Sequence, residues 1–160
     1  MVLLNCIVLN KYDIDMIKLF STGYEKESLD EFISKLEKAG IGAVIDVREI
    51  PLSRKNGFSK KTLEVELNKR NIKYYHFPEL GSPRKIRHEL YSTGDYLSFF
   101  KAYRKYVHNE KPAVEQLNKV ISEEKTSTLM CFEKNEELCH RSIITSEIMK
   151  INPEVTVTPI

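Results

Sequence analysis

The chain has 160 residues, 41% of them hydrophobic and 30% charged. That balance excludes an intrinsically disordered chain and allows one substantial core. Lys and Arg number 25 against 23 Asp and Glu, so no global field of either sign drives nucleic-acid or membrane binding, and anion recognition has to be local. Three cysteines, Cys6, Cys131 and Cys139, are too few for a disulfide scaffold and point to a reducing cytoplasm.

Residues 1–10 are apolar but too short to span a bilayer, and they lack the basic start and small-residue cleavage site of a signal peptide. Residues 1–15 are therefore read as an N-terminal extension, either an extra edge strand or an upstream stretch of a chain that begins at Met16. Residues 16–160 read as a single α/β domain. A first strand over 17–21 runs into the turn Thr22-Gly23. Ser28 caps a helix with Leu29, Phe32, Ile33 and Leu36 at helical spacing, stopped by Gly40. The β-branched run 43–47 is a strand buried on both faces that carries one acid, Asp46. Ser59 caps a second helix over 60–70, and a third strand follows at 72–77. Residues 78–91 read as a polar, basic connection. Helices are expected over 96–107 and from about Pro112 to Glu123, a fourth strand over 126–132, a helix over 139–150 and a short fifth strand over 155–158. Strands alternating with helices predict a three-layer α/β/α sandwich with a mostly parallel sheet of about five strands.

Ligands of open parallel sheets collect beyond the carboxyl ends of the strands. Three polar segments fall there: Ser21-Thr22-Gly23-Tyr24, the loop after Asp46, and residues 131–141. Asp46 must find a partner, because an unpaired carboxylate in a buried strand is costly. It either fixes its loop through Arg48 or Arg141, or acts as a general base. The following Ser53, Arg54, Lys55, Gly57 and Ser59 could cradle a phosphate or carboxylate at a helix N-terminus, although the spacing is not that of a Walker loop. A solvated basic loop is the simpler alternative.

Residues 131–141 bring a thiol, an imidazole, a guanidinium and a carboxylate together. Cys131 and Glu133 alternate on one side of a strand end. Cys139, His140 and Arg141 are placed in the first turn of the next helix, where its dipole lowers a thiol pKa. Arg141 could hold an anionic group while Glu133, His140 or Asp46 moves protons. A covalent role for Cys139 is a second option, but a cysteine-phosphatase loop requires an arginine where this chain has Glu137 or Thr145. A third option sets Cys131, Cys139 and His140 around zinc. Adjacent ligands on one helical turn point about 100° apart, which counts against it. The sequence thus requires no cofactor. Both cysteines could also be buried apolar residues, with His140 a capping donor. His76 ends a strand near the cleft, whereas His88 and His108 read as surface. The aromatics Tyr91, Tyr96, Phe99, Phe100, Tyr103 and Tyr106 read as packing.

These segments resemble the family called domain of unknown function 488 across residues 17–160. The landmarks are Ser21-Thr22-Gly23-Tyr24, Asp46-Val47-Arg48, Pro51 with Ser53-Arg54 and Gly57-Phe58-Ser59, Glu79-Leu80-Gly81, and Met130-Cys131-Phe132-Glu133 with Cys139-His140-Arg141. The resemblance implies a compact α/β domain and the same site, but no reaction. Asp46-Val47-Arg48-Glu49 also looks like an early rhodanese strand, without the Gly-His-Ile-Pro element or thiol loop of those domains.

The expected function is binding, and hydrolysis or transfer, of a phosphorylated or nucleotide-like small molecule. Asp46, Glu133, His140 and Cys139 are the candidate catalytic groups. Thr22, Tyr24, Arg48, Ser53, Arg54, Lys55 and Arg141 are the candidate substrate contacts. A nucleic-acid-binding or regulatory module using Arg54, Lys55, Arg84, Lys85 and Arg87 is the alternative, and no membrane partner is expected.

Overall fold

A computed structural model describes residues 16–160. The segment read as an edge strand or upstream extension, with Cys6, lies outside the described residues. The sequence of elements is β1 (Ile17–Gly23), α1 (Leu29–Lys38), β2 (Ala43–Asp46), α2 (Lys60–Asn68), β3 (Lys73–His76), α3 (Arg84–Thr93), α4 (Tyr96–Asn109), α5 (Lys111–Glu124), β4 (Thr126–Cys131), α6 (Arg141–Ile151) and β5 (Val155–Pro159). The strands form one sheet in the order β3-β2-β4-β1-β5, and each neighbouring pair runs parallel. The three-layer α/β/α architecture expected from the alternating pattern is the one observed.

The local physics follows the sequence closely in the first half. Ser28 and Glu31 form a reciprocal capping box at the start of α1, satisfying two amides that the helix leaves without intrahelical partners. Every residue of β2 is buried, as a central parallel strand requires. Alternation along β2 and β4 then sorts side chains between two layers. Val44 and Met130 face Phe32, Ile33 and Leu36 of α1 and Leu63 and Leu67 of α2. Ile45 and Leu129 face Tyr103 and Val107 of α4, Leu117 and Ile121 of α5, and Ile143, Ile144 and Ile148 of α6.

Two stretches differ from expectation. Residues 78–91, read as an irregular connection, contain a short 3-10 turn at Pro78–Leu80 and then the helix α3. No residue of α3 is buried, and its apolar face is limited to Ile86, Leu90 and Tyr91 among charged and polar neighbours, a weak helical signal. Its boundaries are nevertheless written in the sequence: Pro83 precedes it, and Gly94 stops it at φ 69°, the left-handed conformation that glycine adopts freely. The second difference is the start of α6. The helix begins at Arg141, His140 is its cap residue, and Cys139 is extended at φ −123°, ψ 147°. Cys139 and His140 therefore do not lie in the first turn.

The topology fixes where a cleft can open. The connection leaving β2 passes to β3 on one side, while that leaving β4 passes to β5 on the other. The two loops diverge between neighbouring strands, and this divergence creates a crevice beyond their carboxyl ends. Among the described residues no helix is long and apolar enough to cross a membrane.

Candidate functional site

At the end of β2, Asp46 is fully buried and Arg48 is 6% exposed. Arg48 Nε donates to Asp46 Oδ1 at 2.8 Å, and Nη2 lies 2.5 Å from Oδ2. The Arg48 amide also donates to Oδ1 at 3.0 Å, and the Tyr74 hydroxyl donates to Oδ2 at 2.6 Å. Both carboxylate oxygens are thus engaged by fixed donors. Arg48 Nη1 donates to the Tyr24 hydroxyl and to the Phe58 carbonyl, each at 2.9 Å. Burial opposes the Arg48 charge, but the hydrogen bonds and charge of Asp46 outweigh it and raise its pKa above the ordinary guanidinium value. The Tyr24 ring stacks on Phe58 at 4.2 Å, and Lys55 Nζ donates to the Tyr24 carbonyl at 2.8 Å. The pair therefore ties the 46–59 loop to β1 and β3.

The loop itself is held by Ser53 and Ser59. Ser59 Oγ accepts from the Ser53 amide and donates to its carbonyl, both at 3.2 Å, and makes no hydrogen bond capping α2. Gly57 has φ 88°, and a Cβ there would meet Leu29 Cδ2 at 2.6 Å. Its close approach is to α1, not to the cleft.

At the end of β4 the arrangement is different. Cys131 Sγ lies 3.0 Å from Glu133 Oε2, and Cys139 Sγ lies 3.3 Å from the same oxygen. His140 Nδ1 is 3.6 Å from Cys139 Sγ. The other ring nitrogen, Nε2, is 2.9 Å from the Val47 carbonyl. A carbonyl only accepts, so Nε2 carries a proton; Nδ1, facing the sulfur, accepts from a thiol when the ring is neutral and donates to a thiolate when the ring is charged. Arg141 Nε donates to Cys139 Sγ at 3.3 Å, and Nη2 donates to the Glu133 carbonyl at 2.5 Å.

Three proton-releasing groups consequently face one another in a buried space. Burial works against ionisation of Cys139, but hydrogen bonding from Cys131 and the neighbouring His140 and Arg141 prevail and hold its thiol well below the usual range. Cys131 is pushed up by its hydrogen bond to Cys139 and by burial. Burial and the Cys139 charge push Glu133 up. His140 is raised despite burial, chiefly because Cys139 lies beside it. Cys131, Cys139 and His140 each offer a ligand atom, and all three atoms lie within 4.8 Å of one another.

Both strand ends border a cavity of about 860 Å³, within the size range of small-molecule sites. Of the candidate residues, Tyr24, Arg48, Ser53, Arg54, Lys55, Glu133, Cys139 and His140 line it. Asp46, Thr22 and Arg141 are not among its lining residues and are fully buried; they stand behind the wall. His76 is also outside the lining, its Nε2 held 2.9 Å from the Arg48 carbonyl. His88 and His108 are exposed away from the cavity.

Sequence reasoning missed one wall. Leu90 and Tyr91 of α3, with Tyr96 and Phe99 of α4, line the cavity together with Ile50, Leu52, Phe132 and Leu138. Tyr103 and Tyr106 are packing residues, donating to the carbonyls of Leu80 and Glu79 at 2.6 and 2.8 Å. Arg87 also lines the cavity and pairs with Glu49 at 2.9 Å. Reading Pro83 and Gly94 as helix ends would have brought Arg87, Leu90 and Tyr91 onto one helical face.

Two glycines make these approaches possible. A Cβ on Gly23 would lie 1.8 Å from the Glu133 carbonyl oxygen, and one on Gly81 would lie 2.0 Å from the Glu49 amide. Both segments are drawn against the site through positions that admit no side chain.

Fold and cleft together define an open parallel α/β domain with a buried thiol–imidazole–carboxylate group at a strand switch point. The model of the family described as domain of unknown function DUF488 matches residues 28–148, and the chain belongs to that family. No curated protein and no solved structure matches it.

Proposed function

We propose that the domain is an enzyme acting by hydrolysis or group transfer on a small phosphorylated, nucleotide-like molecule bound in the cavity between the β2 and β4 loops. The observation that carries the reading is the division of labour within that cavity. Its floor holds Cys131, Glu133, Cys139 and His140, while Arg54, Lys55 and Arg87 supply positive charge nearby. Tyr24, Tyr91, Tyr96, Phe99 and Phe132 provide aromatic surface. Aromatic walls suit a planar base or sugar face, and cations suit a phosphate. Proton-transferring groups on the floor would then meet the reacting bond.

Asp46 and Arg48 have a supporting part in this reading. Their mutual pairing holds the loop that carries Ser53, Arg54 and Lys55. Arg141 acts through Cys139 and the Glu133 carbonyl, which makes it a positioning residue.

A nucleic-acid-binding surface draws less support. Arg54, Lys55 and Arg87 line the cavity, whereas Arg84 and Lys85 are exposed and do not line it. The five cations therefore do not present one continuous patch.

A thermal-shift screen of nucleotides, sugar phosphates and single-stranded oligonucleotides tests the reading. A small phosphorylated compound is expected to stabilise the parent, and Arg54→Ala is expected to weaken that stabilisation without changing the melting temperature of the free protein. Stabilisation by oligonucleotides alone, lost steeply with salt, would transfer the assignment to nucleic acid.

A further inference from the structure

We propose that Cys131, Cys139 and His140 hold one zinc ion, and that Glu133 faces its fourth position from the cavity side. The donor atoms are two sulfurs and an imidazole nitrogen, a soft set that suits zinc far better than magnesium or calcium. Tetrahedral zinc with ordinary Zn–S and Zn–N bonds separates a sulfur and a nitrogen ligand by about 3.6 Å. Cys139 Sγ and His140 Nδ1 are 3.6 Å apart. The full set lies within 4.8 Å, so binding requires a contraction of at most about 1 Å from ideal ligand separations.

The surrounding groups are arranged as partners of metal ligands. Val47 accepts the proton of His140 Nε2 at 2.9 Å, which fixes the tautomer that leaves Nδ1 free to coordinate. Arg141 Nε, at 3.3 Å from Cys139 Sγ, supports a ligating thiolate. Convergence of two thiols and a carboxylate in a buried pocket is otherwise costly, and a divalent cation resolves it. The backbone also removes the objection that adjacent Cys and His side chains diverge on a helix. Cys139 is extended and His140 lies at φ −59°, ψ −17°, and this break lets both side chains turn to one point.

Three protein ligands leave the fourth position open, the mark of a reactive rather than purely structural zinc. Glu133 Oε2 lies 3.0 and 3.3 Å from the two sulfurs, and Glu133 lines the cavity. A water in that position would give its proton to the Glu133 carboxylate, leaving a hydroxide to meet the bound molecule. Zinc binding needs no substrate and stands by itself; only this catalytic use of the fourth position rests on the functional reading above.

Metal analysis of the full chain, purified without a histidine tag, is the first test, with one zinc per chain expected. After chelation, Co²⁺ titration should give the intense visible bands of a tetrahedral site and a sulfur-to-metal charge-transfer band. Cys139→Ser and His140→Ala should lose stoichiometric metal, while Cys6→Ser should retain it. Because either site variant could fail to fold, X-ray absorption on the zinc-loaded parent gives an independent reading of two sulfur donors and one nitrogen donor. Absence of metal uptake, a donor set without sulfur, or metal loss in Cys6→Ser would overturn the proposal. Zinc uptake without stabilisation by any phosphorylated compound would sink the functional reading alone. Ligand stabilisation of a chain that takes up no metal would sink only the zinc site.

Discussion

Asp46 and Cys131 end neighbouring parallel strands, yet the buried polar groups around them are organised in opposite ways. Around Asp46, one carboxylate meets one guanidinium, a tyrosine hydroxyl and a backbone amide, so charge and hydrogen-bonding capacity are matched. Around Cys131, two thiols and a carboxylate share Arg141 Nε and the His140 ring. Alternation along the strands places the first group in the α1/α2 layer and the second in the α4–α6 layer. A matched buried cluster holds a fold in register, whereas an acid-rich one is stable only with a bound cation or with its protons retained. The difference gives the β2 end an architectural part and is the reason the proposed chemistry is sited at the β4 end.

The largest expected effect of a single change falls on the matched cluster. Asp46→Asn leaves Arg48, 6% exposed, without its counter-charge. Breaking such a pair costs about 3–5 kcal/mol, equivalent to a fall of roughly 10 °C in melting temperature for a chain of this size. Urea denaturation measures it directly. A variant as stable as the parent would erase the distinction between the two strand ends.

Gly23→Ala strikes the seam between β1 and the thiol–imidazole–carboxylate cluster. The added carbon would lie 1.8 Å from the Glu133 carbonyl oxygen, so the turn after β4 has to move. Overpacking of this kind costs about 2–3 kcal/mol, and displacement of Glu133 should also weaken ligand-induced stabilisation. Retention of both stability and ligand response would mean that the cluster is not held by this contact.

How much of this could be read beforehand depended on the range of the interactions concerned. The strands and α1 were legible because β-branched runs, helical spacing and the Ser28–Glu31 box are local. The same reasoning anticipated a buried partner for Asp46, with Arg48 among those weighed. The helix α3 escaped because its apolar face is short, Ile86, Leu90 and Tyr91, and sits within a run of charged residues that reads as a loop. Residues 139–141 misled for a subtler reason. Their run into Ser142, Ile143 and Ile144 continues a helical pattern, but a 3-10 turn at Glu136–Leu138 redirects the chain just before it. The helix therefore starts later, and the divergence assumed for Cys139 and His140 disappears. Tyr91, Tyr96 and Phe99 reach the cavity through tertiary packing of α3 and α4, which no short segment encodes.

A smaller effect sharpens the account of the matched cluster. Tyr74→Phe removes the 2.6 Å hydrogen bond to Asp46 Oδ2 while leaving the ion pair intact. A hydrogen bond to a charged group at a partly buried position contributes about 1.5 kcal/mol. Equilibrium unfolding should resolve this loss. A cost equal to that of Asp46→Asn would show that the tyrosine, rather than Arg48, governs the stability of this end.

Glu133→Gln provides the counterpart to Asp46→Asn and the smallest expected effect. Each substitution removes the charge of a carboxylate at a strand end with little change in shape. In chelator-treated protein, however, Glu133 faces two sulfurs instead of a dedicated cation, and burial already disfavours its ionised form. A carboxyl whose folded pKa is raised above its unfolded value contributes its stability below the unfolded value, and that contribution falls away as pH rises through the folded value. At neutral pH this charge therefore costs the folded parent stability, and the glutamine variant should be at least as stable as the parent. Paired urea titrations of the two variants compare the strand ends directly. A loss from Glu133→Gln as large as that from Asp46→Asn would make the β4 cluster another structural ion network. A near-zero loss, accompanied by a failure to respond to the stabilising ligand, would confine its role to the reaction.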